Sequence, residues 1–273
     1  MRWATIRTPD GTRAARVDGD TLVELDTRDV GELLARGRDV RETGTTHDVG
    51  TADFAPVVTH PGKILCQGLN YRSHILEMGH VLPEHPTLFT KFREALIGAH
   101  DDIVLPPDSD SVDWEAELAL VISTRVRRAL AAEAAAAIAG FTVANDVSMR
   151  DWQYRTLEWL QGKTWEHATP VGPWLVSPDE VGGPMPDLEI GCEVDGIVRQ
   201  ASRTSELVFS PADLVAYASE FVTLEPGDLL LTGTPAGVGH GMQPPTYLHP
   251  GEVVRTSIQG IGALRNRCVA EGG

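Results

Sequence analysis

Val112-Asp-Trp-Glu-Ala-Glu-Leu-Ala-Leu-Val-Ile122 is the stretch on which the reading of this chain turns. A strand's period of two puts Asp113, Glu115 and Glu117 on one face, with Trp114, Leu118, Leu120 and Ile122 on the other. Acids this close raise each other's proton affinity unless a cation lies among them, and hard divalent ions take such oxygen ligands. The plain alternative is the wet face of a half-exposed strand. A further acid, Asp146, ends the apolar run Phe141-Thr-Val-Ala-Asn-Asp146. A carboxylate directly after a buried strand needs a partner, unless it closes an Asx turn or caps the next helix.

Outward from this strand, further strand signals occur at Ile64–Gln67, Leu188–Val194, Leu229–Thr232 and Val253–Ile258, with Gly and Pro between them. The Ala-rich stretch Arg128–Ala139 predicts a helix with Gly140 as its left-handed cap, and Ser210-Pro-Ala-Asp opens another running to about Phe221. Toward the N-terminus, residues 2–7, 12–17 and 21–25 read as short strands joined at Asp10-Gly11 and Asp18-Gly19, followed by a short helix at Val30–Arg36. Residues 40–60 are polar and weakly patterned, so a boundary is placed there. The expectation is a small N-terminal α+β domain, 1–60, before a larger domain, 61–273, the whole being α+β and predominantly β.

Charge narrows the function. With 23 Lys plus Arg against 39 Asp plus Glu, the formal charge is −16, which repels nucleic acid and anionic membrane surfaces. An anionic substrate would then need positive charge supplied locally, by a metal ion, Lys or Arg. Cys66, Cys192 and Cys268 are odd in number and never in a C-x-x-C pair, against a disulfide framework or thiolate zinc site. With neither a signal-like start nor a membrane-length apolar run, a cytoplasmic protein is expected. Gly-Thr-Pro-Ala-Gly-Val-Gly239 lacks the ending of a phosphate loop, and Met242 stands where a dinucleotide fingerprint wants Gly, so no nucleotide cofactor is expected. Serine-hydrolase elbows and His-Glu-x-x-His zinc motifs are likewise missing.

From Ile64 onward the sequence resembles the fumarylacetoacetate hydrolase family. The resemblance is carried, in order, by Gly68-Leu-Asn-Tyr-Arg-Ser-His-Ile-Leu-Glu-Met-Gly79, Leu88-Phe-Thr-Lys-Phe92, Asp113-Trp-Glu-Ala-Glu-Leu118, Asn145-Asp-Val-Ser-Met-Arg-Asp-Trp-Gln153, Gly162-Lys-Thr164, Pro170-Val-Gly-Pro173 and Leu231-Thr-Gly-Thr-Pro-Ala-Gly-Val-Gly239. It implies the family's mixed β-roll catalytic domain, assembled as a homodimer. It makes Glu115, Glu117 and Asp146 ligands of Mg²⁺ or Mn²⁺ (Ca²⁺ in crystals), with Asp113 an outside candidate. His74 and Glu77 would activate water, and Lys163 would meet the substrate's developing oxyanion. Arg150, Gln153, Lys163, Gly233 and Thr234 would bind the substrate. The least family-like stretch is Trp165-Glu-His-Ala-Thr169.

The implied partner is a small 2-oxo acid. The leading expectation is metal-dependent hydrolysis of a C–C bond in a β-diketo acid of the acylpyruvate type, releasing pyruvate through its enolate, because the water-activating pair is intact. Isomerisation of 2-hydroxydienoates and decarboxylation of an oxaloacetate-like acid pass through a similar enolate and stand as alternatives. A non-catalytic binding protein on the same fold is the remaining one.

Overall fold

The computed structural model describes residues 1–272. A large sheet orders its strands Glu42–Asp48, Thr21–Leu25, Gly11–Asp18, Arg2–Thr8, Thr169–Val176, Ile138–Asn145, Ala116–Ile122, Leu229–Leu231, Ile64–Gly68 and Thr87–Thr90. Leu96–Ile97, which follows the last of these, pairs in parallel with Thr169–Pro170 and so returns the sheet's edge to its middle, curling it into a roll. A five-stranded sheet, Ile197–Arg203, Glu189–Val194, Val253–Ile258, Gly262–Ala270 and Ile103–Leu105, packs beside it. The molecule is thus α+β and predominantly β, and no helix among the described residues is long and apolar enough to cross a membrane.

The strand Ala116–Ile122 is buried on both faces. Leu118, Leu120 and Ile122 join one apolar cluster with Trp114, Phe141 and Val143, whereas Ala119 and Val121 join another with Cys66, Ala144, Val171, Leu229 and Leu231. Alternation holds, but the wet-face alternative fails: the face bearing Glu115 and Glu117 continues into the second cluster. Carboxylates there have no bulk water to charge against.

Strand direction brings the chemistry together. Leu229–Leu231 runs parallel to Ile64–Gly68 and antiparallel to the acid strand, which is antiparallel to Ile138–Asn145. The start of the acid strand therefore lies beside the end of Ile138–Asn145, and beside the loops that leave Gly68 and Leu231. The connections they begin carry His74, on a short helix, and Gly233.

Three local expectations are corrected. The Ala-rich helix is only Ala131–Ala136, and Gly140 lies inside the strand Ile138–Asn145. Close approach is what Gly140 provides: a Cβ there would sit 2.4 Å from the Val176 carbonyl oxygen. Glu42–Asp48, within the weakly patterned segment, is a strand paired with Thr21–Leu25. The second predicted helix does form, as Pro211–Phe221, with Ser210 and Asp213 making a reciprocal cap.

Candidate active site

Glu115 stands just before the acid strand, where Asn145 Oδ1 accepts its backbone N–H (2.9 Å) and its carbonyl accepts from Asp146 (2.8 Å). These two bonds fasten the beginning of one strand to the end of the next. As a result one carboxylate oxygen from each of Glu115, Glu117 and Asp146 lies within 4.8 Å of the others, all three side chains being buried.

Buried cations surround them. Lys163 Nζ lies 2.6 Å from Glu115 Oε2 and 3.0 Å from Asp146 Oδ2. Arg150 spans Asp113 Oδ2 (2.8 Å) and Glu115 Oε1 (2.7 Å). Lys91, within Leu88-Phe-Thr-Lys-Phe92 and without a role legible from sequence, puts Nζ 2.7 Å from Asp146 Oδ1 and also bonds Thr169 Oγ1 (2.9 Å), Val147 O (3.3 Å) and the Lys163 carbonyl. Asp113 is not a fourth member of the acid group. Its oxygens accept from Arg150 and from the backbone N–H groups of Trp114, Gly239 and His240, tying the Gly-rich loop to the acid strand.

Four buried carboxylates thus face three buried cations. Burial pushes Glu115 up, but the charges of Lys163 and Arg150 outweigh it and hold the group at about 2. Glu117 goes the other way: burial, with Asp146 and Glu115 beside it, raises it well above the carboxylate range although Gly233 N–H bonds Oε2 at 2.7 Å. Lys163, which burial alone would push down, is held protonated by Asp146 and Glu115. Asp146 Oδ1, although within ion-pair distance of Lys91, accepts no hydrogen bond. A fourth carboxyl group with no cation of its own, a carboxylate oxygen with a free lone pair and a donor set made wholly of oxygens all fit a hard divalent cation.

A cavity of about 230 Å³ opens on this cluster, lined by His74, Glu115, Glu117, Arg150, Gln153, Lys163 and Thr234 among others. His74 sits on the helix Arg72–Glu77 and turns Nδ1 to Glu77 Oε2 at 3.3 Å, which leaves Nε2 for the cavity. The His74 bond and the Gly237 N–H draw Glu77 below its ordinary value against the opposing effect of burial. Gln153 Oε1 accepts from Arg150 Nη1 at 2.9 Å, and Thr234 Oγ1 accepts from Gln200 Nε2 at 2.9 Å. Gly233 does not line the cavity; its N–H donates to Glu117 instead. The structure therefore gathers His74, Glu77, Lys163, Arg150, Gln153, Thr234 and the three acids at one place, and adds Lys91, Gln200 and His240. Gln200 was illegible in sequence: it anchors Ala116 N and Thr234 Oγ1 from a strand far along the chain.

Residues 63–269 match the family described as fumarylacetoacetate (FAA) hydrolase, C-terminal. The chain belongs to the fumarylacetoacetate hydrolase family. Among relatives, the mitochondrial oxaloacetate tautomerase of Rattus norvegicus is 46% identical over 217 residues, covering 79% of this chain and 69% of that protein. Among solved structures, the 5-carboxymethyl-2-hydroxymuconate delta-isomerase of Mycobacterium smegmatis is 34% identical with a TM-score of 0.85, covering 99% of this chain and 100% of that one. The 2-hydroxyhepta-2,4-diene-1,7-dioate isomerase of Mycobacterium marinum is 33% identical with a TM-score of 0.84, over the whole of both chains. The match to the fumarylacetoacetate hydrolase family spans every residue of the cavity cluster, so the acids and bases described above belong to the shared domain.

Proposed function

We propose that this chain is a divalent-metal-dependent isomerase of small 2-oxo dicarboxylic acids, interconverting the enol and keto forms of oxaloacetate or a close analogue. The observation that carries the reading is the surplus of buried carboxyl groups over buried cations beneath a cavity of about 230 Å³, which calls for a cation in place of the Glu117 proton and leaves room for a small acid. The tautomerase and isomerase relatives favour isomerisation over the C–C hydrolysis that the sequence put first.

Mg²⁺ or Mn²⁺ held by Glu115, Glu117 and Asp146 would act as a Lewis acid toward the substrate oxygens. Lys163, fixed as an ammonium, donates to the oxygen at C2 and stabilises negative charge there. His74 takes the proton from C3 in the enolising direction and returns it on ketonisation, while Glu77 orients the ring and offsets the imidazolium charge. The proton on the enol oxygen passes to and from water inside the cavity, which balances the proton that His74 moves at C3. Arg150 and Gln153 hold each other and face the substrate from the side.

Hydrolysis of an acylpyruvate is the second reading, favoured by the same His74–Glu77 pair, which is also placed to activate water. The test follows ketonisation of enol oxaloacetate by ultraviolet absorbance, and pyruvate release from an acylpyruvate, with Mg²⁺ and with chelator. Metal-dependent ketonisation that falls about 10²–10⁴-fold in His74→Ala is expected. Acylpyruvate cleavage with the larger kcat/KM would make hydrolysis the function. A homodimer in the cytoplasm remains part of the proposal, and light scattering and subcellular fractionation check it.

A further inference from the structure

His240 lines the same cavity and has no part in the chemistry above. It follows Gly239 in the Gly-rich loop, where its backbone N–H donates to Asp113 Oδ2 at 3.0 Å. Two tyrosines hold its ring through three contacts. Nδ1 lies 3.0 Å from Tyr247 Oη, Tyr154 stacks at a centroid distance of 5.3 Å tilted by 30°, and the Tyr247 ring stacks at 6.4 Å. Tyr247 is fixed in turn because its neighbours Thr246 and Leu248 donate backbone bonds to Gly239 and Val112.

This setting determines the ring's chemistry. Burial and the charge of Arg150 lower its proton affinity, against the smaller pull of Asp113, so the imidazole is neutral at neutral pH. A phenol is a better donor than a neutral imidazole N–H, so Tyr247 donates to Nδ1 and the proton resides on Nε2. His240 therefore offers the cavity one fixed, neutral N–H donor. Depth sets what that donor meets. Glu117 lies fully buried at the floor of the cavity, whereas His240 is half-buried beside Arg150, with which it shares Asp113 Oδ2 as acceptor. A 2-oxo acid with its 2-oxo end at the floor reaches outward toward Arg150 and His240 with its other end.

We infer that His240 is a specificity-determining residue whose Nε2–H binds the distal carboxylate of a dicarboxylic substrate, selecting diacids over monoacids. Tyr247 is a positioning residue that fixes the tautomer. The inference rests on the reading of the cavity as a site for small 2-oxo acids.

The test uses the full chain with Mg²⁺ and compares kcat/KM for enol oxaloacetate with that for the enol of a monocarboxylic 2-oxo acid of similar size. His240→Phe keeps a ring against Tyr154 and removes the donor, and His240→Gln supplies an N–H again. The diacid-to-monoacid ratio should fall about tenfold or more in His240→Phe, as loss of a hydrogen bond to a charged group implies. It should recover in His240→Gln. An unchanged ratio in His240→Phe overturns the assignment, as does a fall that His240→Gln does not reverse. If the wild type turns over neither acid, the isomerase reading fails on its own. Calorimetric binding of oxaloacetate against pyruvate then decides His240, with a tenfold loss of selectivity in the Phe variant supporting it and equal selectivity overturning it.

Discussion

Replacing Lys91 by Met tests whether the acid cluster is held by buried charge. Lys91 Nζ is one of two ammonium groups on Asp146, at 2.7 Å, and its side chain is fully enclosed. Met fills similar space but leaves Asp146 with Lys163 alone at 3.0 Å, and leaves Val147 O and Thr169 Oγ1 without their donor. Removing one partner of a buried ion pair costs about 3–5 kcal/mol. Because Lys163 remains, the lower end applies, and about 3 kcal/mol in a chain of this size lowers Tm on the order of 10 °C. Thermal unfolding in chelator measures the loss, and excess Mg²⁺ should recover a large part of it by giving Asp146 another positive partner. Adding Asp146→Asn to the variant should also reduce the penalty, since the stranded charge is then gone. A Tm in chelator equal to that of the wild type would refute the charge argument, as would a double variant that simply sums the two single losses.

Glu117→Gln removes one of the three carboxylates and should reduce Mg²⁺ or Mn²⁺ affinity at least a hundredfold by calorimetry, while sparing the fold, because Gly233 N–H still finds an oxygen. Glu115 gives a pH signature. Its folded value of about 2 lies below the unfolded one, so its contribution of a few kcal/mol is complete above about pH 4.5. That contribution should be lost as pH falls from there toward 2, and in Glu115→Gln the slope of stability against pH in this window should flatten. Gly162→Ala places a Cβ 2.4 Å from the Gln153 backbone N, forcing apart the two short helices that carry Gln153 and Lys163. About 1–3 kcal/mol of destabilisation is expected from urea unfolding, with a loss of turnover larger than that loss of folded protein explains.

Local patterning reached far into this site. Alternation along Val112–Ile122 placed Glu115 and Glu117 on one face, and the apolar run before Asp146 marked a buried carboxylate; the structure brings all three together. Patterning was weaker where residues serve a distant neighbour. Pro170 and Pro173 obscure a strand in the middle of the large sheet. Pro170 lies on the parallel pairing with Ile97, and Pro173 falls in the register shift opposite Ile138–Asn145. Gly140 read as a helix cap because its true reason, the Val176 backbone pressed against it, lies 36 residues away.

The sequence by itself determined which side chains share a face, because a strand's period is a local property of the backbone, and it determined family membership through ordered motifs. Only the tertiary structure decided which charges meet. Lys91 and Lys163 converge on Asp146 from 55 and 17 residues away, and Asp113 goes to Arg150 and the Gly-rich loop instead of to the other acids. Coulomb energies depend on distance and burial, and neither is encoded in spacing along the chain. For the same reason His240, ordinary in the sequence, becomes a fixed donor only when Tyr154, Tyr247 and Arg150 close around it.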